Sequence, residues 1–227
     1  MNPIEKINDS STLWNQVSLA DYENHMSHET VAQLPLLSAL TKKYLEKHQP
    51  QKPLFLGIAG GNGLEHVDAT TVEHVVGIDI NEDYLQQTYL RFKNTLPQLK
   101  LIKCNIDETT ETFIQSDFIW AALFLEYVDL KNCIQFMLNN LAEGGVIVVT
   151  IQSNNGNGAV SQSGIEGVNV LSGQFKRIDK EIVQSTMVDF GFHKSFEEEN
   201  SLPNGKTFLT FTFHRRGKLA DEQHTRE

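Results

Sequence analysis

Residues 53–63 read Pro-Leu-Phe-Leu-Gly-Ile-Ala-Gly-Gly-Asn-Gly, and residues 74–79 read His-Val-Val-Gly-Ile-Asp. The first stretch is an apolar run that stops at a glycine-rich turn, and the second is an apolar run that ends in a carboxylate. This order predicts a buried strand, a turn that a ligand can approach closely, and a second strand. The carboxylate of Asp79 offers acceptors and no donors, which suits two neighbouring ribose hydroxyls. The segment therefore predicts a pocket for a nucleoside-containing ligand.

Around this segment the sequence alternates between strand-like and helix-like runs, which favours a parallel sheet with helices on both faces. Asn204-Gly205, between two later strand-like runs, is typical of an antiparallel hairpin. We predict strands at 54–58, 74–78, 99–102, 118–122, 146–151, 192–198 and 207–214, and helices at 27–48, 63–68, 82–96, 110–114, 130–141 and 178–190. Inside the pattern of the first helix, Pro35 predicts a kink or a restart near residues 33–34.

The chain divides into three predicted parts. Residues 1–50 form an N-terminal helical arm or lid whose first 21 residues are loop, residues 51–216 form the α/β domain, and residues 217–227 form a frayed tail. Within the domain, residues 152–173 are dense in Gly, Ser and Asn and are expected to form a mobile loop.

Composition limits the function. With 19 Lys and Arg against 29 Asp and Glu, the formal net charge is −10, which disfavours nucleic acid and anionic membranes as partners. No apolar run approaches the roughly 20 residues that span a bilayer, and the N-terminus lacks the apolar core of a signal peptide. The separated Cys104 and Cys133 predict reduced thiols, and His25-x-x-His28 lacks further ligands, so we expect no metal. A cytoplasmic protein is the expectation.

These motifs, taken in order, resemble the class I S-adenosylmethionine-dependent methyltransferases over roughly residues 53–213. The resemblance implies a three-layer, Rossmann-like α/β fold with a seven-stranded, mostly parallel sheet and an antiparallel C-terminal hairpin. It also rests on residues 116–128, which resemble the family's fourth-strand motif, and on residues 141–145, which resemble its turn before the fifth strand.

The resemblance implies a binding site for S-adenosylmethionine. Asp79 matches the acid that binds the ribose, and Gly57 stands where the family usually has a second acid. The implied cofactor-binding residues are Tyr22, His25, Met26, Ala59, Gly60, Gly61, Gly63, Asp79, Ile80, Asn105, Ile106, Ala121 and Ala122. His25, Glu126 and Tyr127 are candidates for catalysis, because each lies in a segment expected to face the acceptor.

The sequence therefore predicts methyl transfer to a small-molecule acceptor. Two alternatives remain open. Gly57, and Ala59 in place of the first glycine of the motif, favour a non-catalytic module that binds a nucleoside cofactor in a degenerate methyltransferase fold. An NAD(P)-binding oxidoreductase would require Gly-x-Gly-x-x-Gly, and the third glycine is absent after Gly61 and Gly63. The acceptor, the oligomeric state and the pathway are not encoded in these motifs.

Overall fold

The computed structural model describes residues 3–8, 10 and 12–216, so the predicted tail at 217–227 lies outside the described residues. Within this part of the chain, eight strands form one mixed sheet with five α-helices around it. The strands are β1 (Ile4–Lys6), β2 (Pro53–Leu56), β3 (Val75–Asp79), β4 (Leu99–Lys103), β5 (Ser116–Ala122), β6 (Leu141–Ser153), β7 (Phe192–Ser201) and β8 (Thr207–Arg215). The helices are α1 (Leu19–Ser27), α2 (Gln33–His48), α3 (Glu82–Phe92), α4 (Leu130–Asn140) and α5 (Lys180–Asp189).

The strand order across the sheet is β1-β4-β3-β2-β5-β6-β8-β7. The first six strands in this order run parallel, and β8 pairs antiparallel with both β6 and β7. The predicted α/β class and the C-terminal hairpin are thus confirmed. The expected count of seven strands is one too low, because Ile4–Lys6, predicted as loop, pairs with β4 at the sheet edge. Three residues are too few to show a strand periodicity in sequence.

Helices cover both faces of the sheet and make three layers. On one face, α2 and α3 pack against alternate strand residues such as Phe55 and Trp120. On the other face, α4 and α5 pack against Leu54, Leu56 and Ile119. The strands are buried on both faces because every second side chain points to the opposite helical layer. This burial fixes the carboxyl ends of the central strands at one edge of the molecule.

Several predicted elements need correction. The helix expected at 27–48 begins only at Gln33, as α2, which confirms the restart predicted near Pro35; a separate helix, α1 (Leu19–Ser27), precedes it and was not predicted. No helix forms at 110–114. There, the Asn140 side chain accepts the N–H groups of Phe113 and Ile114 at 2.7 and 3.3 Å, so these groups are bound outside any helix.

The N-terminal segment and the loop at 152–173 also contain helical turns that were not predicted. Residues Leu13–Gln16 and Glu166–Gly173 form 3₁₀ helices. Val17, Val168 and Leu171 are buried together and form a small apolar cluster between the two segments. This cluster exists only after the chain has folded, because Val17 lies about 150 residues before Val168 and Leu171 in the sequence.

The tight packing around Gly77 in β3 makes a test of the core. A Cβ at this position would overlap Cδ1 of Ile58 and lie 3.0 Å from Cδ2 of Leu101. We expect Gly77→Ala to lower the free energy of unfolding by about 1–3 kcal/mol through overpacking, measured by urea denaturation. Gly158→Ala is the matched control, because an added Cβ there meets only the Val160 carbonyl oxygen at 3.6 Å. Equal stability of the two variants would contradict this account of the core.

Candidate functional site

A cavity of about 230 Å³, which we call the main cavity because it lies at the expected ligand position, is found at the carboxyl ends of β2, β3, β4 and β5. In the sheet, β3 and β4 lie on one side of β2, and β5 lies on its other side. The cavity therefore opens at the point where successive strands change from one side of β2 to the other. This is the place where open α/β sheets bind ligands. Seven of the predicted cofactor residues line it: Tyr22, Ala59, Asp79, Ile80, Asn105, Ile106 and Ala122.

Asp79 is buried at the wall of this cavity, with 8% of its surface exposed. Its Oδ2 accepts the N–H of Ala59 at 2.8 Å, and its Oδ1 accepts the N–H of Asn81 at 2.9 Å. Burial raises the pKa of Asp79 to about 6, although the bonds from Asn81 and Ala59 oppose this shift. A carboxylate has about four acceptor positions, so positions remain for ligand hydroxyls.

Phe124 fills the space beside Gly57. A Cβ on Gly57 would lie 2.6 Å from Cδ2 of Phe124, and the φ of Gly57 is +66°. An acidic side chain at this position would therefore meet both a steric and a backbone penalty. Ala59 adopts φ of +46°, a left-handed conformation that a glycine would adopt more readily. The two residues that depart from the glycine motif, Gly57 and Ala59, thus lie in a turn whose conformation is set by its contacts in this protein.

The rest of the glycine turn faces the protein. Gly61 donates its N–H to the Ile58 carbonyl at 2.9 Å, and Gly63 donates its N–H to Oε2 of Glu65 at 2.8 Å. A Cβ on Gly61 would meet α3, and a Cβ on Gly63 would meet Thr41 of α2. The structure therefore does not place these two predicted residues on the cavity, and their absence of a side chain lets two helices approach the turn.

Glu23 reaches the glycine turn from α1. Its carboxylate pairs with Arg91 of α3, with Arg91 Nη2 at 2.8 Å from Oε2, and Arg91 Nη1 also donates to the Gly60 carbonyl at 3.0 Å. Next to this pair lies a small recess of about 40 Å³, lined by Glu23, Asn62 and the turn, that shares Tyr22 and Gly57 with the main cavity. Helix α1 is thus tied over the turn by a charged pair.

Asn105 lines the cavity with its side chain already engaged. Its Oδ1 accepts the N–H of Asp107 at 3.2 Å, and its Nδ2 donates to Glu108 at 3.0 Å. Asn8, which follows β1, accepts the Asn105 N–H at 2.7 Å and donates to the Asn105 carbonyl at 3.0 Å. The N-terminal strand therefore holds this end of the cavity in place.

A second, smaller cavity of about 50 Å³ adjoins the first. Trp14, Tyr22, Leu123 and Tyr127 line both cavities and form the wall between them. The Trp14 ring meets those of Tyr22 and Tyr127 edge to face, at centroid distances of 5.7 and 4.9 Å. Three of the four residues of this wall are therefore aromatic and contact one another through Trp14.

The three catalytic candidates come together on the smaller cavity, which His25, Glu126 and Tyr127 all line. Met26 also lines this cavity instead of the main one, and Ala121 lines neither, since it is fully buried in the core layer that packs against α4 and α5. Gly60 lines the recess beside Glu23. The predicted site is thus divided between adjoining spaces.

Glu126 is buried, with 1% of its surface exposed. Its Oε1 accepts the N–H of Gln152 at 2.7 Å, while its Oε2 has no hydrogen-bond partner within the described part of the chain. Burial raises the pKa of Glu126 to about 7, against a smaller lowering by the bond from Gln152. The carboxyl group can therefore exchange a proton near neutral pH.

Lys206 and His25 also face the smaller cavity. Lys206 is 2% exposed, and its Nζ donates to the Ala159 carbonyl at 2.7 Å. Burial lowers the pKa of Lys206 to about 8. Burial, followed by the charge of Lys206, lowers the pKa of His25 to about 4, so its imidazole is neutral at pH 7. His25 Nδ1 lies 2.7 Å from the Ser163 hydroxyl.

Sequence reasoning missed part of the lining. Trp14, Gln33 and Lys206 lie in segments predicted as loop, helix or hairpin, and nothing in their local pattern indicates that they face a shared cavity. For Lys206 the one local signal was the Asn204-Gly205 turn, which explains the hairpin and says nothing about burial. Gln174 was missed in the same way.

Comparison with solved structures identifies the fold. The N-methyltransferase NodS from Bradyrhizobium japonicum WM9, solved with S-adenosyl-L-homocysteine, superposes with a TM-score of 0.66 at 15% identity and covers 90% of this chain and 97% of that one. The geranyl diphosphate C-methyltransferase from Streptomyces coelicolor A3(2) gives 0.64 at 13% identity, covering 82% and 83%. No protein-family model matches the chain, and no curated protein matches it.

The chain therefore has the fold of the class I methyltransferases, as its motifs predicted. The [4+2]-cyclase SpnF shares this fold with the chain, with a TM-score of 0.64 at 12% identity, covering 79% of this chain and 80% of that one. The same fold thus occurs in a protein described by a different reaction, and the function of this chain has to be argued from its own site.

The raised pKa of Glu126 gives a test that needs no ligand. Because the folded state binds this proton more tightly than the unfolded state, stability is lost as the pH rises from about 4.5 to about 7. Glu126→Gln removes that loss. Relative to the wild type, we expect the variant to gain on the order of 3 kcal/mol between pH 5 and pH 8, measured by urea denaturation.

Glu143→Gln is the control, because Glu143 is exposed at the start of β6. It should leave the pH dependence of the wild type unchanged. If Glu126→Gln behaved like this control, the carboxyl group of Glu126 would not be buried in solution.

Proposed function

We propose that this protein transfers a methyl group from S-adenosylmethionine to a small-molecule acceptor. The observation that carries the proposal is the position of Asp79, a buried carboxylate bound by two backbone N–H groups and facing a 230 Å³ cavity at the carboxyl ends of the parallel strands. The neighbours NodS and geranyl diphosphate C-methyltransferase, whose structures contain S-adenosyl-L-homocysteine, support this assignment.

The residues of the main cavity fit such a cofactor. Asp79 has free acceptor positions for ribose hydroxyls, and Ile80 and Ile106 supply apolar surface beside them for a base. The amino-acid end would lie towards the recess at the glycine turn, where Glu23 provides a carboxylate from α1. In this proposal Glu23 replaces the acid that is missing at Gly57.

The cofactor supplies, when bound, a methyl group activated by a positively charged sulfur. The protein has to bring the acceptor to the aromatic wall between the two cavities and exclude water there, so positioning provides most of the rate. Trp14 and Tyr127, whose rings meet edge to face, are part of that wall. The free Oε2 of Glu126 is placed to take a proton from an acceptor held in the smaller cavity.

The role of Asp79 is tested by binding. We expect Asp79→Asn to weaken S-adenosylhomocysteine binding about tenfold or more, because hydrogen bonds to a charged group contribute about 1.5–3 kcal/mol. Isothermal titration calorimetry measures the affinity, and NAD and NADP are titrated beside it. Asp83→Asn, an exposed carboxylate in the first turn of α3, is the matched control.

The same titrations separate the two alternatives. Tight binding of NAD or NADP without S-adenosylhomocysteine binding would favour an oxidoreductase. S-Adenosylhomocysteine binding without methyl transfer to any acceptor would favour the non-catalytic module, which the packing of Phe124 against Gly57 keeps open.

The role of Glu23 is tested with two ligands. S-Adenosylhomocysteine carries the amino-acid end, and 5′-methylthioadenosine lacks it. We expect Glu23→Gln to weaken binding of the first about tenfold and of the second less than threefold, because the lost charge faces only the amino-acid end. Arg91→Gln is the comparison, since it also breaks the pair that ties α1 to the turn. Equal losses for both ligands in Glu23→Gln would show that Glu23 only fastens α1.

The location, the absence of a nucleic-acid partner and the domain division stay predictions from the sequence. No helix in the described part of the chain combines the length and the apolar character needed to cross a bilayer. The cytoplasmic location, the absence of a nucleic-acid partner and the three-part domain division at residues 1–50, 51–216 and 217–227 rest on composition and pattern.

A further inference from the structure

Two buried groups of opposite charge face the smaller cavity without meeting each other. Glu126 and Lys206 are 1% and 2% exposed, and both line the same space of about 50 Å³. Lys206 Nζ donates to a backbone carbonyl, and the Oε2 of Glu126 has no hydrogen-bond partner in the described chain. The two charged groups thus converge on one space and leave their pairing incomplete.

Such an arrangement is costly without a ligand. Removing a carboxylate or an ammonium from water costs several kcal/mol unless the group is paired and hydrogen-bonded. A ligand that brings an ammonium to Glu126 and an anionic group to Lys206 would complete both pairs at once. A ligand of a single charge would leave one of the two groups uncompensated.

We propose that the smaller cavity binds a small zwitterion, with its ammonium group at the free Oε2 of Glu126 and its anionic group at Nζ of Lys206. This deepens the proposed function and rests on it for one point only, that the bound zwitterion is the methyl acceptor. Binding itself follows from the two charged groups and is tested separately.

The wall of the cavity supports the orientation. Tyr127 follows Glu126 in sequence, and its ring lies edge to face with Trp14 at 4.9 Å and with Phe175 at 5.9 Å. Aromatic rings attract a cation that approaches their faces. The ammonium end of the ligand therefore lies beside the wall shared with the main cavity, where an acceptor nitrogen would have to be. To accept a methyl group, this ammonium would first give one proton to Oε2 of Glu126, which frees the lone pair of the nitrogen.

The other polar side chains of the smaller cavity carry no charge at pH 7, so Glu126 and Lys206 determine its electrostatics. His25 is neutral at pH 7, and Gln33 and Gln152 bind each other at 2.5 Å, so they offer hydrogen bonds without net charge. A space of about 50 Å³ has room for on the order of four water molecules. The ligand, or the part of it that enters, is therefore small.

The test compares small ligands that carry two opposite charges with small ligands that carry one. Glycine, β-alanine and 4-aminobutyrate are titrated calorimetrically into the full-length protein, with and without saturating S-adenosylhomocysteine. Propylamine and propionate, which carry one charge each, are titrated in parallel. We expect at least one zwitterion to bind about tenfold or more tightly than both, which corresponds to about 1.4 kcal/mol.

Two variants assign each charge to its residue. Glu126→Gln should remove the preference for the zwitterion over propionate, and Lys206→Met should remove its preference over propylamine. Lys131→Met, at an exposed lysine of α4, is the control and should leave both preferences intact. Each variant is first checked by its thermal melting temperature and by its S-adenosylhomocysteine affinity.

The outcomes separate the two proposals. If S-adenosylhomocysteine binds and no zwitterion is preferred over the singly charged ligands, the zwitterion site is wrong and the proposed function stands. If zwitterion selectivity holds and is lost in the two variants while S-adenosylhomocysteine does not bind, the site stands and the cofactor assignment is wrong. If Lys206→Met fails to fold, the comparison of ligands on the wild-type protein decides.

Discussion

The carboxylate of Asp79 connects the turn after β2 with the start of α3, and the shape of the candidate site depends on this connection. By accepting N–H groups from Ala59 and from Asn81, it ties the turn after β2 to the residue that caps α3. The two strands end at the same edge of the sheet, and this bridge fixes their ends relative to each other. Without it, the turn that carries Ala59 in a left-handed conformation would lose an anchor, and the cavity would lose its shape.

The cover of the site comes from both ends of the chain. Residues 12–27 lie over the glycine turn and pack against the 3₁₀ helix Glu166–Gly173, while the hairpin between β7 and β8 contributes Lys206. Segments so distant in sequence enclose the smaller cavity and bury Glu126. That enclosure raises the pKa of one carboxyl group to about 7 and lowers that of a lysine to about 8. The electrostatics of the site are thus a product of folding.

The departures from the glycine motif have a structural explanation. Gly57 faces the ring of Phe124, and Glu23 reaches the same turn from α1 with Arg91 as its partner. A comparison of motifs alone shows a missing acid, whereas the folded chain shows another carboxylate nearby on a different element. An inventory of motif residues therefore underestimates what a site can offer, since contacts between elements can replace a local residue.

The sequence by itself determined the α/β class, the place of the turn after β2, Asp79 at the end of β3 and the terminal hairpin. These follow from local hydrophobic periodicity and turn chemistry, which are properties of short segments. The tertiary structure alone decided that Ile4–Lys6 is an eighth strand and that Gly61 and Gly63 face helices. It also decided that Glu126 and Lys206 share a cavity. Burial and the pairing of distant groups depend on how elements pack, and no short segment encodes that packing.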